Sequence, residues 1–438
     1  GLYSESTQDV HKKQANMGMP ATATLTSFIC LLFANLRFSA ALAPGIYGAD
    51  CATSPSTSSS SSSMSSQPSR TSSVFREFSL TEFKSGDLHT KLRIARELDD
   101  AMQHTGFFVL RDHGVSPELI NAVYRAADAF FEKPSEYKMQ FTNETVTWGL
   151  PGYCPPGLES EGRARTVENP EEKTLSPSDL VENFLYSFRP SEDLEAKELL
   201  LPPELKSTIR DYALATHKVI EDVQRMASFA LSATDPEIIS YMHNNITESG
   251  HAQTPSNLRE DLVRVLNENL LERYFHSEEH YEMEILFRLN HYFDLSNVEL
   301  EKNQLRIGEH RDFTGFTLLS GEDVKGLEVK VDGEWIAAPS DPHKYVINGG
   351  ILLREITNNR WRASSHRVAV TSRKRRFSIP VFGDPDHRNI VQPLKGCHAC
   401  NAEPFKHPRI TVQELLDPIF EAVRTENQLV HDSVGTKV

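Results

Sequence analysis

The sequence predicts an α+β protein in which helices come first and a compact antiparallel β core follows. Apolar residues recur at helical spacing in three stretches before residue 234. From Met283 onward the texture changes to short apolar runs separated by Gly, Asp-Gly, Asn and Pro, with no helical pattern between them. Strands at that density point to an antiparallel sandwich or barrel.

The elements follow in order. Ordered structure is expected to begin at Val74, where a Ser/Thr-rich composition gives way to mixed apolar and charged patterning. Leu92, Ile94, Ala95, Leu98 and Met102 form the apolar stripe of a helix over 88–102, with Gly106 as its stop. Phe107-Phe108-Val109-Leu110 is short, apolar and rich in strand formers, and Asp112-His113-Gly114 is the turn after it. Leu119, Ile120, Val123, Ala126 and Phe130 mark a second helix over 117–131, and a long helix is expected over 203–233. Within the β region, Val331-Asp332-Gly333-Glu334-Trp335 signals a hairpin, because Asp-Gly tolerates the positive φ of a tight turn. A final amphipathic helix is expected over 412–423, and no repeat at solenoid or propeller period is present.

Composition narrows the partners. The formal net charge is −15, and it arises from the residues after Val74, so the folded part repels nucleic acid and anionic membrane surfaces. Small-molecule partners and a monomer are expected. The five cysteines (Cys30, Cys51, Cys154, Cys397 and Cys400) are scattered, which is unlike a disulfide framework and suits a reducing compartment. No apolar run reaches the roughly 18–20 residues of a membrane-spanning helix. The longest, Phe28 to Leu36, is followed by Arg37 and by Ala40-Ala41-Leu42-Ala43, the outline of a secretory signal. The Ser/Thr-rich, acid-free stretch from Thr53 to Ser73 suits a flexible linker or an organellar transit segment equally well. Residues 1–43 are accordingly a candidate leader and 44–73 a disordered linker. The sequence leaves two compartments open: the cytoplasm, or a plastid or other organelle if the leader is a targeting signal.

The chemistry gathers in the β region. In His310-Arg311-Asp312, strand or strand-edge backbone would send an imidazole and a carboxylate to one face. One further His completes a two-His, one-carboxylate set, which leaves open positions on Fe(II). His366, 54 residues past Asp312, is the best candidate, since several antiparallel strands fit in that interval. A lone His-x-Asp is common by chance, so the residues downstream matter. Arg376 and Ser378 are again two apart, in the strand-like run Phe377, Ile379, Val381, Phe382. A guanidinium and a hydroxyl on one face suit the far carboxylate of a dicarboxylate whose near end chelates iron. The plainer alternative is a surface arginine in the basic run Arg373-Lys374-Arg375-Arg376. Tyr292, after Asn290, either adds a hydroxyl to the same carboxylate or is a core tyrosine.

Several motifs around these residues resemble one family. They are Gly315-Phe316-Thr317-Leu318-Leu319, Gly326-Leu327-Glu328-Val329, Asp332-Gly333-Glu334-Trp335-Ile336, Thr357-Asn358, Arg360-Trp361, His366-Arg367-Val368 and Arg376-Phe377-Ser378-Ile379-Pro380. With Thr105-Gly106-Phe107-Phe108-Val109, Asp112-His113-Gly114-Val115 and Gly152-Tyr153, they are similar to the Fe(II)/2-oxoglutarate-dependent dioxygenases of the isopenicillin N synthase-like superfamily. The resemblance covers about Val74 to Val423. It implies a distorted double-stranded β-helix, or jelly roll, flanked by helices. It implies a 74–282 helical and mixed part with an insertion at 238–281, a 283–385 jelly-roll core, and a 386–438 loop, helix and tail. It implies iron on His310, Asp312 and His366, and 2-oxoglutarate held by Arg376 and Ser378 with help from Tyr292. The implied reaction uses O2, with ascorbate as reductant, hydroxylates or desaturates a small organic substrate, and releases succinate and CO2. Thr314-Gly315 reverses the order usual in the family, and Ile351 stands where an Asp is usual. Both departures bear on local packing more than on iron.

Other assignments compete. His276, Glu279 and His280 match a zinc-peptidase pattern, although their surroundings look like a solvated charged face. Cys397-His398-Ala399-Cys400 lacks the second Cys pair of a zinc site. A silent jelly-roll binding protein would not need all three candidate ligands, and some relatives with this fold oxidise substrate without 2-oxoglutarate.

Overall fold

The computed structural model describes residues 74–142, 152–157, 177–189, 201–233, 270–275, 283–394, 405, 408–419 and 421. The leader and linker expected at 1–73, the His276–His280 pattern, Cys397, Cys400 and all of 238–281 except Leu270–Phe275 lie outside the described residues.

Strand β1 (Glu77–Ser79) runs into α1 (Leu80–Ser85), whose first turn is capped by the Ser79 hydroxyl accepting from the Glu82 N–H. Helix α2 (Leu88–His104) is capped by Asp87 and buries the stripe expected of it. It ends because Gly106 takes φ +67°, and a Cβ there would lie 2.5 Å from the Arg362 carbonyl oxygen. Strand β2 (Phe107–Arg111) follows, then α3 (Pro117–Phe131) with the Ser116 cap and Pro117 in its first turn, then α4 (Ser135–Lys138). Strands β3 (Gly152–Cys154) and β4 (Glu182–Phe188) precede the long α5 (Lys206–Ser232) and the short α6 (Leu270–Phe275). Among the described residues no helix is long and apolar enough to cross a membrane.

The β region comprises β5 (Glu284–Tyr292), β6 (Ile307–His310), β7 (Phe316–Gly321), β8 (Leu327–Val331), β9 (Glu334–Ala337) and β10 (Tyr345–Gly349). Helix α7 (Ile351–Ile356), β11 (His366–Val368), β12 (Arg376–Asp384), β13 (Ile390–Val391) and β14 (Ile410–Thr411) come next, followed by α8 over 412–419. The hairpin expected at Asp332-Gly333 joins β8 to β9, with both turn residues at positive φ.

Eight strands form one sheet in the order β1-β2-β10-β7-β12-β5-β4-β3, antiparallel except for β1 with β2. Four form a second, β6-β11-β8-β9. Alternation along the central strands explains why they read as continuous apolar runs. Phe107, Val109 and Val346 pack toward Leu327 and Val329 of the small sheet, while Phe108, Leu110, Tyr345 and Ile347 pack into the helix-covered core. Apolar side chains therefore occupy both faces of β2 and β10.

Two expectations need correction. Strands β1, β3 and β4 from the amino-terminal half join the large sheet, so the helices-first picture is incomplete; β4 pairs along β5 from Glu182↔His291 to Phe188↔Ile285, a long-range match with no local signature. A helix also interrupts the β region. Ile351-Leu352-Leu353 looks like a buried strand by periodicity. Gly350 ends β10, however, and the Ile351 and Leu352 amides turn back onto the Asp312 and Phe313 carbonyls, starting α7.

Buried polar contacts tie these elements into a frame for the site. Asp99 on α2 accepts from the Arg360 guanidinium and the Trp361 indole, which anchors the loop that leads to His366. Glu182 on β4 meets Lys138 at 2.7 Å and His291 Nδ1 at 2.8 Å and accepts from Tyr153, so its buried charge is compensated on every side.

Candidate metal and cosubstrate site

Strands β6 and β11 pair antiparallel with His310 directly opposite His366, and the two ring centroids lie 4.3 Å apart. Asp312 lies beyond the end of β6, so the strand alternation expected for His-x-Asp does not by itself align it with His310. The alignment comes from the turn. The Asp312 carbonyl accepts from the Ile351 N–H at 2.8 Å, and Gly350 sits so close beneath that a Cβ would meet the Thr314 carbonyl oxygen at 2.2 Å and the Asp312 carbonyl oxygen at 2.9 Å. The neighbouring Thr314-Gly315 has a similar reason: a Cβ on Gly315 would lie 2.3 Å from the ring of Phe275 on α6.

Asp312 Oδ1 is 3.7 Å from His310 Nε2 and 3.6 Å from His366 Nε2. One donor atom from each residue lies within 4.8 Å of the others. These separations exceed hydrogen-bond length and suit three ligands on one face of an ion. His310 Nδ1 lies 2.8 Å from the Gly308 carbonyl and His366 Nδ1 3.1 Å from that of Ser364. A carbonyl only accepts, so each Nδ1 carries the proton and each Nε2 presents its lone pair to the shared space. The outer oxygen of Asp312, Oδ2, accepts from Thr317 Oγ1 at 2.5 Å and from Asn348 Nδ2 at 2.7 Å, which turns Oδ1 toward the imidazoles. Burial acts to raise the Asp312 pKa, but His366 and His310 beside it and the Asn348 amide outweigh burial and hold the carboxyl well below the usual carboxylate range.

The cosubstrate candidates come together on β5 and β12, where Arg376 is opposite Tyr292 and Ser378 opposite Asn290. Tyr292 Oη is 2.9 Å from Ser378 Oγ, and the Asn290 amide donates to the same hydroxyl at 3.4 Å. Arg373, Lys374 and Arg375 are exposed, whereas Arg376, the first residue of β12, turns inward and is 6% exposed, with its guanidinium 4.6 Å from the Tyr292 ring centre. Among the described residues nothing accepts a hydrogen bond from its Nε or Nη1. A second buried guanidinium, Arg306, reaches only neutral carbonyls among the described residues, those of Phe293, Ser372 and Lys374. Burial first, and then the charge of Arg376, pull its pKa down to about 10. A buried, unsatisfied cation beside a second cation is costly unless an anion joins it. A dicarboxylate with one end on an ion held by Asp312 and the other on Arg376 fits this donor set.

A cavity of about 110 Å³ joins the His310-Asp312-His366 cluster to Arg376, Ser378 and Tyr292. Leu185, Leu286 and Phe382 form part of its apolar wall. All six candidate site residues thus meet in one place. Thr317 and Asn348 were not legible as site residues, though an amide inside the apolar run Tyr345-Val346-Ile347-Asn348 is a signal that a buried partner waits for it. If Asp312 ligates Fe(II), as the resemblance implies, replacing Asn348 by Ala is expected to weaken Fe(II) binding by about 10–100-fold, the usual effect of losing a hydrogen bond to a ligating group. Metal titration under argon checks this, and unchanged affinity would remove Asn348 from the site.

Two family models match the chain: the 2OG-Fe(II) oxygenase superfamily over residues 284–385, and the non-haem dioxygenase in morphine synthesis N-terminal over residues 78–204. Together they span just over half of it. Gibberellin 20 oxidase 3 of Arabidopsis thaliana is 26% identical over 315 residues, covering 72% of this chain and 70% of the relative. A 2-oxoglutarate-Fe(II) type oxidoreductase of Emericella nidulans is 27% identical over 343 residues, covering 76% and 86%. The crystal structure of full-length Neurospora crassa T7H in complex with alpha-KG and thymine superimposes with a TM-score of 0.59 at 20% identity, covering 80% of this chain and 97% of that one. That likeness shows the fold, a jelly roll flanked by helices.

Proposed function

This chain belongs to the 2OG-Fe(II) oxygenase superfamily and is a non-haem Fe(II)- and 2-oxoglutarate-dependent dioxygenase, and we propose that His310, Asp312 and His366 hold its iron while Arg376, Ser378 and Tyr292 hold the distal carboxylate of 2-oxoglutarate. The observation that carries the assignment is the convergence of one donor atom from each of the three ligands within 4.8 Å, in a cavity that the buried Arg376 also lines. Iron with bound 2-oxoglutarate supplies O2-dependent oxidation of a C–H bond, with release of succinate and CO2.

The chain's own residues do the positioning. Gly308 and Ser364 carbonyls keep the protons of His310 and His366 on Nδ1, so the metal-facing nitrogens stay basic. Thr317 and Asn348 hold Asp312 in one orientation. Arg376 and Ser378 fix the far end of the cosubstrate, leaving its keto acid end to chelate. Leu185, Leu286 and Phe382 keep water away and offer an apolar wall to a small organic substrate, which is hydroxylated or desaturated.

Anaerobic loading with Fe(II), followed by O2, tests the reading. Succinate is expected to form only when iron, 2-oxoglutarate and O2 are all present, with a slow uncoupled rate even before the prime substrate is known. Absence of succinate from iron-loaded, folded protein in the presence of a broad panel of small organic acids, terpenoids and phenolics would sink it.

A further inference from the structure

Gly326 immediately precedes β8, whose first residue, Leu327, lines the cavity together with Arg376. Gly326 is not there for backbone conformation, because its φ is outside the left-handed region. It is there for close approach. A Cβ on Gly326 would lie 2.5 Å from Arg376 Nη1, 3.3 Å from Val368 Cγ1 and 3.4 Å from the Ala369 carbonyl oxygen. The backbone cannot retreat to make room, since the Gly326 carbonyl accepts from the Ala369 N–H at 2.8 Å and β8 is paired with β11. Of the three neighbours, only the guanidinium is the free end of a long side chain.

Arg376 lines two spaces. One is the cavity lined by His310, Asp312 and His366; the other, a rear space on the Gly326 side of the guanidinium, is about 20 Å³ and is bounded by Gly326, Leu319 and Val346 among others. The rear space has room for about one water, whereas Gly326 borders only that rear space. A methyl group added at Gly326 would therefore push the guanidinium away from the rear and toward the metal cluster.

Resting on the cosubstrate assignment above, we propose that Gly326 is the positioning residue for Arg376: the missing side chain sets how deep the guanidinium sits, and so the distance between the metal end of the cavity and its carboxylate-binding end. The enzyme's preference for a 2-oxo diacid of this length is then set by a glycine that never touches the cosubstrate.

The test uses the full-length protein loaded with Fe(II) under argon, with two probes followed by calorimetry: 2-oxoglutarate, and 2-oxovalerate, in which a methyl group replaces the distal carboxylate. Wild type is expected to favour 2-oxoglutarate by at least about 100-fold, since a charged bidentate contact is lost in the other probe. Gly326→Ala is expected to cut that preference by about 10–100-fold, as a displacement near 1 Å does at a positioned site, while 2-oxovalerate affinity stays within about twofold. In an Arg376→Met background the same glycine substitution is expected to leave both affinities unchanged within about twofold. A Gly326→Ala protein that keeps the wild-type preference overturns the proposal. So does one that melts too low to bind either probe, because the proposal requires the guanidinium, not the backbone, to give way. Failure of wild type to bind 2-oxoglutarate in an iron-dependent manner would instead overturn the cosubstrate assignment beneath it.

Discussion

Asp312→Ala is expected to abolish stoichiometric Fe(II) binding and, with it, succinate formation. The two imidazoles would remain opposite each other on β6 and β11, but the anionic ligand that neutralises part of the ion's charge would be gone. The loss should exceed the roughly 10–100-fold typical of an outer hydrogen-bonding partner. The substitution also strips Thr317 and Asn348 of their common acceptor, and a buried donor left unpaired costs about 1–3 kcal/mol. A lower melting temperature should therefore accompany the loss of metal. Iron content by elemental analysis with succinate yield reads the first effect, and thermal melting of the iron-free protein reads the second. A folded Asp312→Ala protein that retained one equivalent of iron and its turnover would dismiss the metal assignment.

Arg376→Met should separate affinity from stability in opposite directions. Methionine keeps much of the volume and apolar contact of the arginine stem but removes the guanidinium. In the ligand-free protein that guanidinium is buried, near Arg306, with Nε and Nη1 unsatisfied among the described residues. Its removal should leave the melting temperature unchanged or raise it. Once 2-oxoglutarate binds, the same change leaves the distal carboxylate without its partner, at a cost of about 3–5 kcal/mol, or roughly two to three and a half orders of magnitude in Kd. Thermal melting without ligand and equilibrium binding of 2-oxoglutarate to the iron-loaded protein measure the two halves. Undiminished affinity would dismiss Arg376 as the carboxylate anchor.

The longer helices α2, α3 and α5 were readable because their signals are local. Helix α3 begins at Pro117 after the Ser116 cap and ends at Phe131, as spacing and capping chemistry require. The β8–β9 hairpin turns at Asp332-Gly333 for the same reason. Strand β4 was not readable, because nothing near residues 182–188 announces that their partner lies in β5. Helix α7 was missed because six apolar-rich residues look alike as strand or helix until the Asp312 and Phe313 carbonyls decide the matter.

The candidate site divides along the same line. Residue types and short spacings in the chain itself determined which groups are available: His310 and Asp312, His366, Arg376 and Ser378, with Tyr292. Only the tertiary structure decided that Arg376 faces inward while the three basic residues before it face water, that Thr317 and Asn348 orient Asp312, and that the backbone of Gly326 comes up against the Arg376 guanidinium. Side-chain chemistry is written residue by residue. Burial, close approach and the pairing of a buried charge depend on which distant segments meet, and those meetings follow from strand register and packing across the whole domain.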